Sequence, residues 1–328
     1  MSYNVAVVGA TGNVGRIMLQ ILESRNFPLK NLYLLASKNS LGTHMPFKGE
    51  NLPVQDLAEF DFQNTDIALA SPGGSISAEF APKAANAGTI WIDNTSHFRM
   101  DVDVPLIIPE INPNKIADYK NKNIIANPNC STIQMLLALA PLHEKFVIRR
   151  VVVSTYQSVS GAGKKGQDEL LAQLGGNNAQ SKFSRQIAHN VIPQIDRFLE
   201  NGTTKEEQKM VDETHKILDK NIRVNATCVR VPVMIGHSES LNIETERPIP
   251  PAQAAQILSR ANGVRVDVQG DKFKTPLEIA GSDEVHISRI RADTTVPNGL
   301  SMWCVADNTR VGAALNAVKI AELLIKRR

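Results

Sequence analysis

The 328 residues carry a formal net charge of +3, with 42% hydrophobic and 5% aromatic side chains. A chain of this length predicts two domains, and its composition is that of a globular protein. No run of Lys and Arg is interleaved with aromatic residues, so we expect no nucleic acid as a partner. The longest apolar stretch, IQMLLALAPL, is shorter than the roughly 20 residues that cross a bilayer, so we expect no membrane segment.

The chain start and the cysteines bear on the cellular compartment. MSYNVAVVGATG enters an apolar strand at once, without the basic region and apolar core of a signal peptide, so we expect a cytoplasmic protein. Cys130, Cys228 and Cys304 are scattered and odd in number, which argues against a disulfide framework. Cys228 and Cys304 fall inside apolar strands and are expected to pack in the core.

A glycine motif opens the chain. The apolar run at residues 5–8 predicts a strand buried in a parallel sheet, and it leads into GATGNVG and a helical stretch at residues 16–23. The GxxGxxG spacing is a variant of the dinucleotide fingerprint, whose glycines permit a tight turn and close approach of the backbone to a pyrophosphate. The alternative is an ordinary glycine turn of an α/β protein. The cofactor contacts expected here are Gly9, Thr11, Gly12, Asn13, Val14 and Gly15.

The end of the second predicted strand bears on cofactor choice. A site selective for NAD places an acidic residue roughly twenty residues beyond the motif, where it binds the ribose hydroxyls. This chain has no acidic residue there, and the segment instead reads Ala36, Ser37, Lys38, Asn39 and Ser40. Small polar groups beside a lysine suit a 2′-phosphate, so the sequence favours NADP. The alternative is a solvated turn with an incidental lysine.

The pattern of later segments predicts two domains of different class. Strands at residues 66–70, 89–92 and 123–126 alternate with helical segments such as 77–87, which predicts a Rossmann-type, doubly wound parallel sheet. From residue 151, longer β-type runs predict an α+β domain with a largely antiparallel sheet. We place the NADP-binding domain at 1–129, completed by a C-terminal helix at 309–328, and the second domain at 130–308. The glycine-rich segment 175–179 predicts a flexible loop.

Cys130 lies between an Asn-Pro-Asn turn and an apolar helix predicted over residues 131–142. At a helix N-terminus, unpaired backbone N–H groups and the helix dipole stabilise a thiolate, which makes Cys130 a candidate nucleophile. The position also follows a strand, at the carboxyl edge of the sheet where open α/β folds bind ligands. The alternative is a small apolar residue at the start of a buried helix.

Along almost its whole length, the chain resembles the aspartate-β-semialdehyde dehydrogenase family. The most specific matching motifs are NPNCST, STYQSVSGAG and RVPVMIGHSE, in this order, and the others are GATGNVG, LLASKNSLG, SPGGSIS, NTSHFRM, HNVIPQID, EEQKMVDETHKIL and DNTRVGAALNA. The resemblance implies an NADP enzyme, a homodimer, and a catalytic and dimerisation role for the second domain. The implied reaction converts L-aspartyl 4-phosphate and NADPH into L-aspartate 4-semialdehyde, NADP and phosphate, toward diaminopimelate, lysine, threonine and methionine.

The resemblance also assigns roles to individual residues. Cys130 matches the nucleophile that forms a covalent thiohemiacetal or thioester, His237 the acid/base partner, and Gln157 the residue that positions the substrate carbonyl. Arg230 and Glu206 match residues that bind the substrate. The matching phosphate-binding cations are Arg99 and Lys209. The matching cofactor contacts beyond the glycine motif are Asn39, Ser40, Ser160, Gly161 and Asn308. No metal site is expected.

Two other functions stay open at this stage. An N-acetyl-γ-glutamyl-phosphate reductase also uses a cysteine and NADP on an acyl phosphate. A regulatory protein could keep the glycine motif without turnover, although it would need none of Cys130, Gln157, Arg230 and His237. Without the resemblance, a lone histidine after a strand is more often a core or surface residue, and EEQK is typical of a solvated ion-pair face.

Overall fold

The computed structural model describes residues 1–177, 180, 182–267 and 271–327. The chain forms two compact units, Met1–Pro128 with Ala313–Arg328, and Asn129–Gly312. Of the loop predicted at 175–179, Asn178 and Ala179 lie outside the described residues. Within the part of the chain that is described, no helix is long and apolar enough to cross a membrane.

Seven strands form the sheet of the first unit. They are β1 (Tyr3–Val8), β2 (Leu29–Ala36), β3 (His44–Phe47), β4 (Glu50–Asp56), β5 (Ile67–Ala70), β6 (Ile90–Asp93) and β7 (Ile124–Ala126). Their order across the sheet is β3-β4-β2-β1-β5-β6-β7, and every neighbouring pair is parallel except β3 with β4. The predicted doubly wound parallel sheet is confirmed. The β3–β4 hairpin was not predicted, because Pro46 and Pro53 interrupt the strand pattern. They are tolerated here because β3 is the edge strand and Pro53 precedes the pairing of β4 with β2.

The described residues contain eight α-helices. They are α1 (Asn13–Ser24), α2 (Gly74–Asn86), α3 (Cys130–Phe146), α4 (Lys164–Leu174), α5 (Lys205–Ile217), α6 (Pro251–Leu258), α7 (Pro276–Ile279) and α8 (Leu315–Lys326). The last of them returns to the first unit and packs on α1. Its Asn316 donates to the Ile107 carbonyl at 3.0 Å and to Asn127 Oδ1 at 2.6 Å. The C-terminal segment is therefore an integral part of the first unit.

Central strands of the first unit are continuous apolar runs. The side chains of β5 and the last four residues of β1 are completely buried. A parallel sheet covered by helices on both faces requires such runs, because neither face of its strands meets water. This burial fixes β1 as a rigid base for the glycine motif that follows it.

Six strands form the sheet of the second unit. They are β8 (Ile148–Gln157), β9 (Arg223–Arg230), β10 (His237–Thr245), β11 (Val264–Val266), β12 (Val285–Asp293) and β13 (Gly299–Ala306). Their order is β11-β12-β13-β10-β8-β9. Three of the five pairings are antiparallel, and the two parallel pairings lie at the two edges. The prediction of a largely antiparallel sheet is confirmed, and Cys228 and Cys304 are fully buried within it.

Candidate active site

Three predicted site residues lie side by side on neighbouring strands of the second unit. Gln157, the last residue of β8, is in register with Arg230, the last residue of β9, and with His237, the first residue of β10. Residues in register on adjacent strands place their Cβ atoms about 5 Å apart on the same face of the sheet. All three side chains are buried. Side chains up to 80 positions apart along the chain thus form one row, which we call the Arg–Gln–His row.

Cys130 is the first residue of α3 and is partly exposed. Asn129 caps this helix, because its Oδ1 accepts hydrogen bonds from Ser131 N at 2.9 Å and Thr132 N at 3.3 Å. The prediction that Cys130 stands at a helix N-terminus is confirmed. On its other side Cys130 meets Gly312, where an added Cβ would lie 2.6 Å from the cysteine Cβ. The thiol is thus fixed by its cap and by a close backbone neighbour.

Glu206, near the start of α5, links the nucleophile to the row. It is buried, and its Oε1 accepts from Asn129 Nδ2 at 2.8 Å and, through a longer contact of 3.4 Å, from Gln157 Nε2. Its Oε2 accepts from Lys209 Nζ at 3.0 Å. Burial alone would raise the pKa of Glu206, but Lys209, Asn129 and Arg230 outweigh burial and lower it to about 2. Glu206 is therefore a buried carboxylate that stays ionised at neutral pH.

Two carboxylates hold the ammonium group of Lys209. Besides Glu206, Asp196 accepts from Lys209 Nζ at 3.2 Å. Asp196 has a left-handed backbone with φ of 68°, a conformation that non-glycine residues adopt at a cost. Burial opposes its ionisation, yet the Arg197 backbone N–H and Lys209 together lower its pKa. Lys209 is thus fixed in position by charge on both sides.

The imidazole of His237 is completely buried. Its Nδ1 accepts a hydrogen bond from the Ser158 backbone N–H at 3.1 Å and lies 3.2 Å from Ser158 Oγ. Because a backbone N–H can only donate, the proton of the neutral ring lies on Nε2. Burial and the nearby Arg230 lower the pKa of His237 to about 3, so the neutral form is the resting form. In this arrangement His237 presents an N–H group, and accepting a proton at Nε2 would require Nδ1 to exchange partners.

Gly161 makes room beside this imidazole. A Cβ added at Gly161 would lie 3.1 Å from His237 Nε2 and 2.9 Å from Arg230 Nη1. The same Arg230 nitrogen donates to the Ser158 carbonyl at 2.6 Å. The guanidinium and the imidazole therefore flank a position where only a glycine fits without displacing one of them.

The other predicted cofactor contacts of the second unit belong to a small hydroxyl and amide cluster. Asn308 Oδ1 accepts from Ser158 Oγ and Ser160 Oγ, each at 3.1 Å, and from Gly236 N at 2.9 Å. Ser158 also contacts His237, so this cluster lies beside the Arg–Gln–His row. The predicted residues Ser160 and Asn308 are thus neighbours of the imidazole.

In the first unit, the geometry of the glycine motif fits a bound pyrophosphate. Gly9 has φ of 80°, and a Cβ added there would lie 2.8 Å from the Ser71 carbonyl oxygen. A Cβ added at Gly15 would lie 2.3 Å from the Gly9 carbonyl oxygen, inside any tolerable contact. Gly12 caps α1 with an extended backbone. The strand, tight turn and helix N-terminus are the arrangement that receives dinucleotide phosphates.

The two predicted cofactor segments of the first unit touch each other. Thr11 Oγ1 of the glycine motif lies 3.3 Å from Ser40 Oγ, which follows β2. The three residues before Ser40, which are Ser37, Lys38 and Asn39, are exposed. A short 3-10 helix spans Lys38–Ser40. The segment that would distinguish NADP from NAD is therefore open to solvent.

Arg99 also belongs to the first unit, where it is buried. Its Nε donates to the Asn127 carbonyl at 2.9 Å and its Nη2 to the Asn94 carbonyl at 2.9 Å. These backbone contacts hold the guanidinium in one orientation. Its phosphate-binding role remains a prediction.

Several residues of this network were not singled out in the sequence. Asn129 had a usable signal, because asparagine before an apolar helix is a favoured N-cap. Glu213, whose Oε2 accepts from Asn129 N at 2.6 Å, and Asp196 and Gly312 had none, since only tertiary packing gives them their partners. Among the described residues, no three His, Cys, Asp or Glu side chains are grouped to hold a metal ion.

Comparisons with known proteins agree with this division of the chain. The family profile "Semialdehyde dehydrogenase, NAD binding domain" matches residues 4–119, and "Semialdehyde dehydrogenase, dimerisation domain" matches residues 139–311. The aspartate-semialdehyde dehydrogenase 2 of Vibrio cholerae is 53% identical over 99% of this chain and 98% of its own length.

Solved structures are similar over the same extent. The aspartate semialdehyde dehydrogenase II of Vibrio cholerae complexed with ASA is 52% identical, with a TM-score of 0.97 over 99% of both chains. The aspartate semialdehyde dehydrogenase of Candida albicans with NADP is 26% identical, with a TM-score of 0.79 over 99% of this chain and 98% of that one.

Proposed function

Because the chain belongs to the aspartate-semialdehyde dehydrogenase family, we propose that it catalyses the NADP-dependent reductive dephosphorylation of L-aspartyl 4-phosphate to L-aspartate 4-semialdehyde through a Cys130 thioester. The observation that carries this proposal is the joining of Cys130, through Asn129 and Glu206, to the Arg–Gln–His row. A thiol, two substrate-binding charges and an imidazole N–H are thereby gathered in one unit.

Covalent catalysis begins at Cys130. Its thiolate attacks the carbonyl carbon of the acyl phosphate, the new C–S bond forms, and the C–O bond to phosphate breaks, which leaves a thioester and inorganic phosphate. The helix N-terminus favours the thiolate, because backbone N–H groups and the helix dipole oppose its negative charge. The cap formed by Asn129 holds this helix end in place.

Substrate recognition uses the opposite charges of Arg230 and Glu206. A guanidinium binds a carboxylate through two parallel hydrogen bonds, so Arg230 suits the α-carboxylate. Glu206, ionised and buried, suits the α-ammonium group. This carboxylate favours an aspartyl substrate over an N-acetylated glutamyl one, whose neutral amide offers no ammonium to pair with it.

His237 and Gln157 act at the reacting carbonyl. The Nε2–H of His237 can donate to the oxyanion that forms when the thiolate adds to the carbonyl, and Gln157 positions the same oxygen. Proton transfer at His237 would follow if Nδ1 turned from the Ser158 N–H to donate to the Ser158 hydroxyl. Ser158 thus controls which nitrogen of the imidazole carries the proton.

Phosphate binding is proposed for Lys209 and Arg99. Lys209 lies beside Glu206, next to the residues assigned to the substrate. Its cationic group opposes the charge of an acyl phosphate and of the departing inorganic phosphate. For Arg99, which belongs to the first unit, the proposal rests on its match to a phosphate-binding cation of the family.

The chain binds a nicotinamide dinucleotide through its NAD binding domain, and we propose that the cofactor is NADP. When bound, NADPH supplies the hydride that reduces the thioester to the aldehyde. The glycine motif at residues 9–15 would hold the pyrophosphate, and Ser37, Lys38, Asn39 and Ser40 would bind the 2′-phosphate. We assign Ser160, Gly161 and Asn308 to contacts with the same cofactor. The NADP complex of the Candida albicans relative supports this choice.

The assembly and cellular setting follow the family. We expect a homodimer, which the matching dimerisation domain supports, and we expect it in the cytoplasm. The semialdehyde product would feed the synthesis of diaminopimelate, lysine, threonine and methionine.

A spectrophotometric assay tests the proposed reaction in its reverse direction. L-aspartate 4-semialdehyde, phosphate and NADP should give NADPH, and the reaction should stop when phosphate is omitted. The comparison substrate is N-acetyl-L-glutamate 5-semialdehyde. Faster turnover of that compound, or equal rates with and without phosphate, would overturn the proposal.

A further inference from the structure

Two fully buried polar side chains of the second unit are not used in the proposed mechanism. Glu239 lies on β10, two residues after His237, and Gln134 lies on α3, four residues after Cys130. They belong to the two elements that carry the proposed nucleophile and the proposed imidazole. Any bond between them would connect those elements directly.

Half of the Gln134 amide already makes such a connection. Its Nε2 donates to the His237 carbonyl oxygen at 3.3 Å. The other half is unsatisfied, because Gln134 Oε1 has no hydrogen-bond partner among the described residues. A buried amide oxygen without a donor is costly, so a donor is expected to face it.

The Glu239 carboxyl has the complementary need. Within the described part of the chain, neither of its oxygens has a hydrogen-bond partner. Its neighbours in register on β13 and β8 are Cys304 and Thr155, which are buried and uncharged. A buried carboxylate without a cation beside it is strongly disfavoured against the protonated acid.

The charge balance of Glu239 agrees with this geometry. Burial raises the pKa of Glu239 well above its usual value. Gln134 is the other group that acts on the carboxyl, and it opposes this rise without cancelling it. Glu239 thus differs from Glu206, whose ionisation is supported by a lysine and an arginine.

We infer that Glu239 is a neutral carboxylic acid whose O–H donates to the amide oxygen of Gln134, and that the pair positions Cys130 and His237 relative to each other. One proton then provides a hydrogen bond for one Glu239 oxygen and for Gln134 Oε1, two buried atoms that otherwise lack partners. It also fixes the orientation of the amide, because a flipped Gln134 would set its oxygen against the His237 carbonyl. Both are positioning residues, and the inference rests on the proposed roles of Cys130 and His237.

Substitutions at Glu239 separate this role from simple packing. Glu239→Gln replaces the O–H donor by an N–H donor of similar shape, so kcat should stay within about twofold, since a neutral hydrogen bond replaces a neutral hydrogen bond. Glu239→Leu keeps the volume but removes the donor, so kcat should fall by about tenfold, as expected for one lost hydrogen bond. The KM for aspartate semialdehyde should change little in both. Glu244→Gln, in the same strand on the opposite face, is the matched control.

Infrared spectroscopy tests the protonation state independently of activity. The difference spectrum between the unaltered protein and Glu239→Gln at neutral pH should contain the C=O stretching band of a protonated carboxyl. The Glu244→Gln difference spectrum should lack it. Absence of the band, or an equal loss of kcat in Glu239→Gln and Glu239→Leu, would overturn the inference.

A second variant covers the case in which Glu239→Leu does not fold. Gln134→Met removes the same hydrogen bond from the other side, together with the bond to the His237 carbonyl, and preserves much of the side-chain volume. Its kcat should fall at least as much as that of Glu239→Leu, and unchanged kcat would contradict the positioning role. If the unaltered protein had no dehydrogenase activity, the proposed function would fail, while the infrared band would still decide the state of Glu239.

Discussion

The two units recognise their proposed ligands by different physical means. In the first unit the glycine motif offers backbone and space, because a side chain at Gly9 would collide with the Ser71 backbone and one at Gly15 with the turn itself. In the second unit the site consists of charged and polar side chains that fix one another, with Glu206 in contact with Asn129, Gln157 and Lys209. The first surface therefore depends on shape, and the second on charge and hydrogen bonding.

This difference decides how each surface responds to substitution. An isosteric change of charge in the second unit should weaken catalysis and leave the fold intact. A change of charge beside the glycine motif should redirect cofactor preference, since the backbone contacts with the pyrophosphate remain. The predictions below test this contrast, from the largest expected effect to the smallest.

Cys130→Ser should abolish turnover while NADP binding by the first unit is retained. A hydroxyl is a much weaker nucleophile than a thiolate at neutral pH, so kcat should fall by at least about a thousandfold. The substitution is nearly isosteric and Cys130 is partly exposed, so the stability should change little. Steady-state kinetics and the NADP dissociation constant measure the two effects, with Cys304→Ser as a control for thiol loss at a buried, non-catalytic position. A variant with a tenth of normal activity would exclude Cys130 as the nucleophile.

How far the sequence predicted these two surfaces also differs. The glycine motif, the strand before it and the helix after it are contiguous, so local pattern was sufficient to predict them. The start of α3 at Cys130 was predictable for the same reason. By contrast, the alignment of Gln157 with Arg230 and His237 depends on the pairing of three strands, and no local pattern specifies that register.

Residues that support other residues were the hardest to predict. Glu213 and Asp196 hold Asn129 and Lys209 through contacts between distant segments. Glu207, the neighbour of Glu206, also has a supporting role, because it completes the capping box with Thr204 and accepts from Cys228 N at 2.9 Å. A charged residue in the sequence can be assigned such a supporting role only after its partners in the structure are known.

His237 offers a test of whether the imidazole donates a hydrogen bond or transfers a proton. His237→Ala should reduce kcat by about a hundred- to ten-thousandfold, the range for acid–base assistance. His237→Gln can place an N–H group near the position of Nε2–H. If the imidazole acts as a hydrogen-bond donor, kcat of His237→Gln should be at least about tenfold higher than kcat of His237→Ala.

Equal activity of the two His237 variants would indicate that proton transfer, which an amide cannot perform, is the essential role. Unaltered kcat in His237→Ala would remove the residue from the mechanism. Because the pKa of His237 is lowered to about 3, its own titration should not appear in the pH profile of kcat/KM between about pH 5 and pH 8.

Glu206→Gln should weaken recognition of the substrate ammonium group. The change preserves shape and removes charge, and a hydrogen bond to a charged group contributes roughly 1.5–3 kcal/mol, so kcat/KM should fall by about ten- to a hundredfold. Glu207 is unsuitable as a control because of its capping role, and the exposed Glu200→Gln serves instead. An unchanged kcat/KM would show that the carboxylate does not bind substrate.

The same variant should alter acid sensitivity in a defined direction. The folded pKa of Glu206, about 2, lies below its ordinary value of 4.5. Its ionisation therefore stabilises the fold fully above the ordinary value, and this contribution is lost as the pH falls toward 2. Urea unfolding at about pH 5 and about pH 3 should show a smaller loss of unfolding free energy in Glu206→Gln than in the unaltered protein. An identical loss would mean that Glu206 is not ionised in the fold.

Ser37→Asp should shift cofactor preference from NADP toward NAD, with the smallest effect of the series. Ala36, the position nearest the strand end, is buried, so a carboxylate there would also disturb the sheet. Ser37 is exposed and caps the 3-10 helix Lys38–Ser40, a position that aspartate tolerates well. A carboxylate would repel the 2′-phosphate of NADP and accept hydrogen bonds from the free ribose hydroxyls of NAD. The ratio of kcat/KM for NADP to that for NAD should fall by about tenfold, which corresponds to roughly 1.4 kcal/mol.

Ser37→Asn is the control, because asparagine has nearly the shape of aspartate without its charge. This variant should leave the ratio within about twofold of the unaltered protein, since only the charge repels the phosphate. An equal shift in both variants would attribute the effect to side-chain size, and equal use of NADP and NAD by the unaltered protein would overturn the assignment of Lys38 to the 2′-phosphate.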